Sequence, residues 1–172
     1  RALYDRFCDP DGGSYVGLRG PGGIRLHSPQ LALRMQQLNN YLRWNADIEK
    51  VDRELSILVT AREFDSPFEW CAHEAVAIKE GISPEVIDII RHRKSIDHLP
   101  DKQAVIIGLG REMFGDHKVK PATFARALKI FGARLLIDIV SVMANYASTA
   151  ALLCCFDMQL PSGREPGLPR LP

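Results

Sequence analysis

The stretch DRELSILVTAREFDSPFEWCAHEAVAIKEG, residues 52–81, decides the fold of this 172-residue chain. Its apolar residues recur every three or four positions, which predicts two consecutive helices. We expect the break between them at Asp65, Ser66 and Pro67, because Asp or Ser can cap a helix and Pro fits its first turn. The stretch therefore predicts a helical hairpin.

Polar side chains interrupt the apolar faces of both predicted helices. Glu54 follows Val51 by three residues and precedes Leu58 by four, so its carboxylate is expected to face the core. On the second helix, His73 lies one turn after Glu69. That face also carries Ser66, Trp70 and Ala77. An imidazole titrates near neutral pH, and a nearby carboxylate can raise its basicity, so Glu54, Glu69 and His73 are candidate acid/base residues.

The spacing of five residues resembles the frame of the carboxymuconolactone decarboxylase and AhpD-like superfamily: Glu54, Ser66, His73, Ala77 and Gly81. In the peroxidase branch this frame carries two redox cysteines, where this chain has Ser66 and Glu69, and Cys71 is out of register. The motif FEW at 68–70, with LRGP at 18–21 and LHSP at 26–29, is similar to the cysteine-free, carboxymuconolactone decarboxylase-like branch. The resemblance covers roughly residues 15 to 160.

The resemblance implies an activity and a set of site residues. It implies a cofactor-free lyase or isomerase that acts on a small oxygenated acid or lactone by acid/base catalysis, in a homo-oligomer (trimer, hexamer or dimer). His73 matches the position of proton transfer, with Glu54 or Glu69 orienting or recharging it. The residues expected around the substrate are Trp70, Ser66, Arg62, Tyr146 and His27.

Other interpretations of the same residues stay open. Cys71 could serve a thiol-dependent peroxidase, and the fold could belong to a non-catalytic oligomeric binding protein. Glu54, Glu69, His73 and Glu74 could bind a metal, but the di-metal bundle signature needs Glu-x-x-His twice, and this chain has Glu-x-x-x-His once. We therefore expect no metal, and the resemblance implies that no cofactor is needed. Arginines could grip a substrate carboxylate in bidentate fashion; the candidates are Arg19, Arg53 and Arg62.

Composition narrows the class of protein. The chain is 46% hydrophobic, which fits one globular domain over residues 1–172. With 22 basic and 21 acidic residues, it has no net field to attract nucleic acid or an anionic membrane. Its four cysteines show no metal or disulfide spacing, which favours a reducing, cytoplasmic compartment. His92, His98 and His117 lie in charged or loop contexts, so we expect them at the surface.

The rest of the chain predicts an all-α fold of about six to eight helices, since no alternating strand pattern occurs. An arm, 1–27, precedes a helix from Pro29 to about Trp44, and a tail, 159–172, ends the chain. Gly132 is expected to stop a short helix before a last one from about Ala133 to Met158. That last helix is apolar over 135–156, long enough for a membrane span, but Asp138 and Asn145 favour burial between helices or subunits.

Overall fold

The computed structural model describes residues 4, 5, 8, 9 and 18–170. Within 18–170 the chain forms seven α-helices and no strand, which confirms the all-α prediction. The helices are α1 (Pro21–Arg25), α2 (Pro29–Asn40), α3 (Lys50–Glu63), α4 (Pro67–Lys79), α5 (Pro84–Arg91), α6 (Asp101–Phe114) and α7 (Pro121–Cys155). A π-helical turn, Tyr41–Asn45, continues α2, so the predicted helix from Pro29 to about Trp44 is α-helical only as far as Asn40.

Prolines mark the helix starts. Five of these seven helices begin at a proline, where the missing N–H has no intrahelical partner to lose. Ser83 caps α5 by accepting a hydrogen bond from the backbone N–H of Val86 at 3.3 Å. Between α3 and α4 the chain turns through Asp65, whose φ is 46°. The predicted hairpin is confirmed, although the hydroxyl of Ser66 makes no capping bond.

Helix α3 lies at the centre of the fold and packs against α4, α5, α6 and α7. Every residue from Asp52 to Arg62 is buried. A helix enclosed on all sides has no solvent face. Its polar side chains are therefore taken into the interior along with the apolar ones, and each needs an internal partner.

Glycine allows α6 to approach α3 closely. A Cβ atom added at Gly110 would lie 2.7 Å from Cγ1 of Val59, closer than two carbon atoms can pack. Only a glycine therefore fits at position 110 without movement of one of the two helices. At Gly108 an added Cβ would meet its nearest neighbours at 3.7 and 3.8 Å, which is ordinary contact.

Helix α7 covers the other side of α3 and bends at Gly132, whose φ of 69° and ψ of 168° leave the helical region. The expected stop at Gly132 is thus a local break within one long element, and α7 ends at Cys155 rather than Met158. Asp138 and Asn145 are buried. Among the helices of the described residues, none is both long and apolar enough to cross a membrane.

Both terminal segments reach back onto the helices. Arg25, at the end of α1, donates a 2.8 Å hydrogen bond to the hydroxyl of Thr149 on α7. In the tail, the carbonyl of Pro169 accepts a 2.7 Å bond from Arg62, and Leu168 is buried. The tail therefore packs on its own domain. Residues 1–3, 6, 7 and 10–17 of the predicted arm lie outside the described part of the chain.

Candidate active site

The hairpin brings Glu54 and His73 into direct contact. Oε2 of Glu54 lies 2.8 Å from Nδ1 of His73, and both residues are buried, with 0% and 5% exposure. The other oxygen, Oε1, accepts a 3.1 Å hydrogen bond from Nε of Arg53. Arg53 in turn donates a 2.6 Å bond to the backbone carbonyl of Arg43. Glu54 is thus tied to its own helix and also bound to the histidine of the next one.

Two opposing effects set the protonation of Glu54. Burial alone raises the pKa of its carboxyl, because desolvation disfavours the charged form. The hydrogen bond from His73, with the charges of Arg53 and Arg43, outweighs burial and leaves the pKa of Glu54 below its ordinary value. Glu54 is therefore a carboxylate at neutral pH. The sequence could not decide between these effects.

His73 is held in its neutral form. Burial lowers its pKa, and Glu54 opposes that shift without cancelling it. A carboxylate can only accept, so Nδ1 of His73 carries the hydrogen in this contact. The basic lone pair then lies on Nε2. A neutral imidazole oriented in this way can accept a proton at Nε2 while its developing charge is stabilised by Glu54.

Tyr146 packs against the imidazole from α7. The two ring centroids are 5.0 Å apart and the rings are nearly perpendicular, at 87°. This edge-to-face contact fixes the tilt of the imidazole as well as contributing to packing. The structure thus brings together three predicted site residues, namely Glu54, His73 and Tyr146, from helices α3, α4 and α7.

Glu69 is also buried, with 3% exposure, but it does not contact the imidazole through a hydrogen bond. Neither of its carboxyl oxygens has a hydrogen-bond partner. Desolvation raises the pKa of Glu69 to about 8, and the nearby Ser66 hydroxyl and Arg25 charge offset only part of that effect. Of the two carboxylates proposed to orient His73, Glu54 therefore does so, while Glu69 is a neutral acid at pH 7.

Arg25 was not among the candidate residues. Its charge acts on both Glu69 and Tyr146, and desolvation is the main cause that lowers its own pKa. Little in the sequence indicates that Arg25 belongs to the site. It shows only a basic residue four positions after Pro21, in a segment rich in glycine. Because the segment showed no apolar periodicity, nothing indicated that its side chains would reach the helical hairpin.

Two of the predicted substrate residues have their contacts elsewhere. Trp70 is fully buried and donates a 3.1 Å hydrogen bond to Glu74, with the guanidinium of Arg91 over its ring at 5.5 Å. Arg62 bonds the carbonyls of Arg91 and Pro169 and pairs with Asp65. The hydrogen bonds of both side chains hold the tail and the hairpin turn, and none of them goes to Glu54 or His73.

The remaining candidates divide by exposure. Ser66 is buried next to Glu69, whereas His27 and Arg19 are exposed. Arg53 is buried on Glu54 rather than open to a substrate. The other three histidines, expected at the surface, are exposed: His92, His98 and His117.

The structure also bears on the two alternative sites, a reactive thiol at Cys71 and a metal site. The thiol of Cys71 is half-buried and lies 3.4 Å from the carbonyl oxygen of Glu165, and burial raises its pKa. A raised pKa leaves less of the nucleophilic thiolate. Among the described residues, no three His, Cys, Asp or Glu side chains gather in a way that could hold a metal ion. Glu74, one of the four suggested ligands, pairs with Arg91.

Compared with known proteins, the chain matches no family model and no curated protein sequence.

Proposed function

We propose that this protein is a cofactor-free lyase or isomerase that acts on a small oxygenated acid or lactone by acid/base catalysis at His73. The observation that carries the proposal is the buried contact between Glu54 and His73. Burying charged groups is costly even when they are paired, and groups with shifted pKa values cluster at functional sites. The resemblance of residues 54–81 to carboxymuconolactone decarboxylase-like proteins favours the same activity.

In the isomerase form of the reaction, Nε2 of His73 takes a proton from a carbon next to a carbonyl group. The electron pair of that C–H bond moves into an enolate, and the imidazolium, stabilised by Glu54, returns the proton to another carbon. No net proton is gained or lost. The neutral state of His73 suits this first step, because a base must be unprotonated to accept.

In the lyase form, the bond to the carboxylate carbon breaks and carbon dioxide leaves. The electron pair remains on the substrate as an enolate, whose carbon then needs one proton. His73 delivers that proton from Nε2 after taking it from solvent, so each turnover consumes one proton. Both forms use the same residue and the same orientation by Glu54.

The test is the substitution His73→Gln, assayed with a panel of small lactones and unsaturated or β-keto acids. Glutamine keeps a polar group near Glu54 but cannot relay protons near neutral pH. We expect turnover to fall by about 10²-fold or more, the range for loss of a general base. The circular dichroism spectrum should stay unchanged.

The matched control is His92→Gln, because His92 is exposed and pairs only with surface groups of its own helix among the described residues. Its activity should equal that of the wild type. Full activity in His73→Gln would contradict the catalytic assignment, and a non-catalytic binding protein would then explain the fold better.

A further inference from the structure

Glu69 is buried in a way that the interior of the protein does not explain. Its side chain is 3% exposed and both of its carboxyl oxygens lack a hydrogen-bond partner. Leaving a buried polar group unsatisfied costs about 1–3 kcal/mol, and such groups are few in native proteins. Glu69 and His73 are four residues apart in α4, so they lie one turn apart on the same buried face of that helix. Its unused oxygens therefore lie beside the proposed proton-transfer residue.

Arg25 brings a positive charge to this place from a different element. Its guanidinium reaches from the end of α1 to Thr149 on α7, where one N–H group donates a 2.8 Å bond. A guanidinium has five N–H donors. This is the one hydrogen bond that Arg25 makes to the described residues, so a fork of donors remains for another acceptor.

The positive charge of Arg25 is not matched by a negative charge on Glu69 at neutral pH. Arg53 is paired with the carboxylate of Glu54. Arg25 has no such partner, because the nearby Glu69 is protonated at neutral pH, with a pKa of about 8. The half-buried charge of Arg25 is thus left without a negative partner, and the group that complements it is negative.

We propose that Arg25 and Glu69 form a subsite that binds the carboxylate group of the substrate. The inference deepens the proposed function and rests on it, since it assumes that the ligand held here is the one on which His73 acts. The guanidinium fork of Arg25 matches the two oxygens of a carboxylate. The protonated carboxyl of Glu69 donates its O–H to one of the same oxygens.

The subsite should respond to pH through Glu69. Arg25 on α1 and the hydroxyl of Ser66 act on Glu69 directly. His73 lies one turn further along α4, where the charges of Arg43 and Glu54 act on it and Tyr146 of α7 packs against its ring. Loss of the proton from Glu69 places a second negative charge against the ligand carboxylate. Affinity for a carboxylate should therefore fall as pH rises above about 8.

The experiment measures binding rather than turnover. The probes are acetate, succinate and benzoate, each compared with its amide by calorimetric titration at about pH 6.5 and about pH 9. We expect at least one carboxylate to bind the wild-type protein more tightly than its amide. Its dissociation constant should rise about tenfold or more in Arg25→Gln, as for loss of a charge-assisted bond, and less in Arg25→Lys, which keeps the charge.

Glu69→Gln tests the second member of the subsite. Glutamine keeps a donor but cannot ionise, so the loss of affinity between the two pH values should disappear in this variant. The matched control for Arg25→Gln is Arg34→Gln, because Arg34 is exposed on α2 and bonds only a carbonyl of its own helix among the described residues. It should bind as the wild type does.

Three results would overturn the proposal. They are equal binding of every carboxylate and its amide, unchanged affinity in Arg25→Gln, and the same pH dependence in Glu69→Gln as in the wild type. Titration of His73→Gln separates this proposal from the proposed function. Carboxylate binding that survives in a protein without turnover supports the subsite, whereas lost turnover with no carboxylate preference disproves the subsite alone.

Discussion

Oε2 of Glu54 lies 2.8 Å from Nδ1 of His73, although the two residues are 19 positions apart in the sequence. The contact exists because the turn at Asp65 folds α4 back against α3. Arg53 holds the other oxygen of the same carboxylate. The two oxygens of Glu54 thus have different partners, an arginine of its own helix and the histidine of the next helix.

Replacing Glu54 with alanine should destabilise the protein strongly. Glu54→Ala leaves Arg53 buried, with 3% exposure, and without a carboxylate. Removing one member of a buried ion pair typically costs 3–5 kcal/mol, so we expect a loss of about that size. Urea denaturation followed by circular dichroism measures it.

The comparison variant is Glu49→Ala, which removes an exposed carboxylate that pairs with Lys102 at 2.9 Å. Surface ion pairs contribute about 0–1 kcal/mol, so this change should be nearly neutral. If Glu54→Ala is no less stable than Glu49→Ala, the ion pair does not hold α3 as described.

Glu69 should make stability depend on pH. Its pKa is about 8 in the folded protein and near 4.5 in the unfolded chain. Between these values the folded state holds a proton that the unfolded state has lost. The contribution of Glu69 is therefore fully present below about pH 4.5 and decreases by about 1.4 kcal/mol per pH unit up to about pH 8.

The slope can be isolated by comparing variants. Glu69→Gln cannot titrate, so its free energy of unfolding should fall less steeply than that of the wild type between about pH 5 and about pH 8. Glu165→Gln, at an exposed position of the tail, should keep the wild-type slope. Parallel curves for Glu69→Gln and the wild type would show that Glu69 titrates normally.

The periodicity of residues 52–81 was enough to predict the hairpin, and prolines indicated the starts of α2 and α4. The proline at the start of a helix is a local signal, since it depends on the chemistry of one turn. The length of α7 was harder to predict. Gly132 breaks the helical geometry, but packing on both sides keeps the element in one piece.

The part of the site that was predicted from the sequence also depends on local spacing within a helix. Glu69 and His73 share a face because of spacing within one helix, which a sequence shows directly. The pairing of Arg53 with Glu54 could not be read from spacing, since adjacent residues on a helix point in different directions. Arg25 could not be predicted, because its place depends on how α1 folds onto α7, a contact between segments 124 residues apart.

Assembly larger than a monomer remains a prediction. The last helix exposes small residues at helical spacing, Ala144, Ser148 and Ala151, and also the large apolar residue Ile137, with 64% exposure. Small residues allow two helices to approach closely. Covering an exposed apolar side chain removes it from water, which favours association. Light scattering at micromolar concentration should give a multiple of 19.2 kDa, and a mass near 19.2 kDa would contradict the prediction.

Cys71 should be dispensable for activity. Its thiol lies against the carbonyl of Glu165, burial raises its pKa, and none of the described cysteines is disulfide-bonded. A thiol peroxidase needs a reactive thiolate and usually a second thiol to resolve its oxidised form. We expect Cys71→Ser to keep lactone or acid turnover. Peroxide turnover that depends on thiols in the wild type and vanishes in Cys71→Ser would favour the peroxidase alternative.

Two glycines of α6 should respond in opposite ways to the same substitution. In Gly110→Ala the new methyl group would lie 2.7 Å from Cγ1 and 2.8 Å from Cγ2 of Val59, which is 0% exposed at the centre of α3. Val59 is β-branched and has little rotamer freedom in a helix. Overpacking of this kind costs about 1–3 kcal/mol, more than the ~1 kcal/mol gained when alanine replaces glycine in a helix.

Gly108→Ala is the matched control, because Gly108 lies two positions before Gly110 in the same buried part of α6. Its new methyl group would contact Ile96 at 3.7 Å and Thr123 at 3.8 Å, which are ordinary distances. This variant should therefore be as stable as the wild type or up to ~1 kcal/mol more stable. Thermal and urea unfolding should be measured for both variants. The gain in helix propensity from alanine is common to both, so the difference between them reports the contact with Val59. Equal stability of Gly110→Ala and Gly108→Ala would show that α6 can move away from α3, and that the close contact between Gly110 and Val59 does not set the helix spacing.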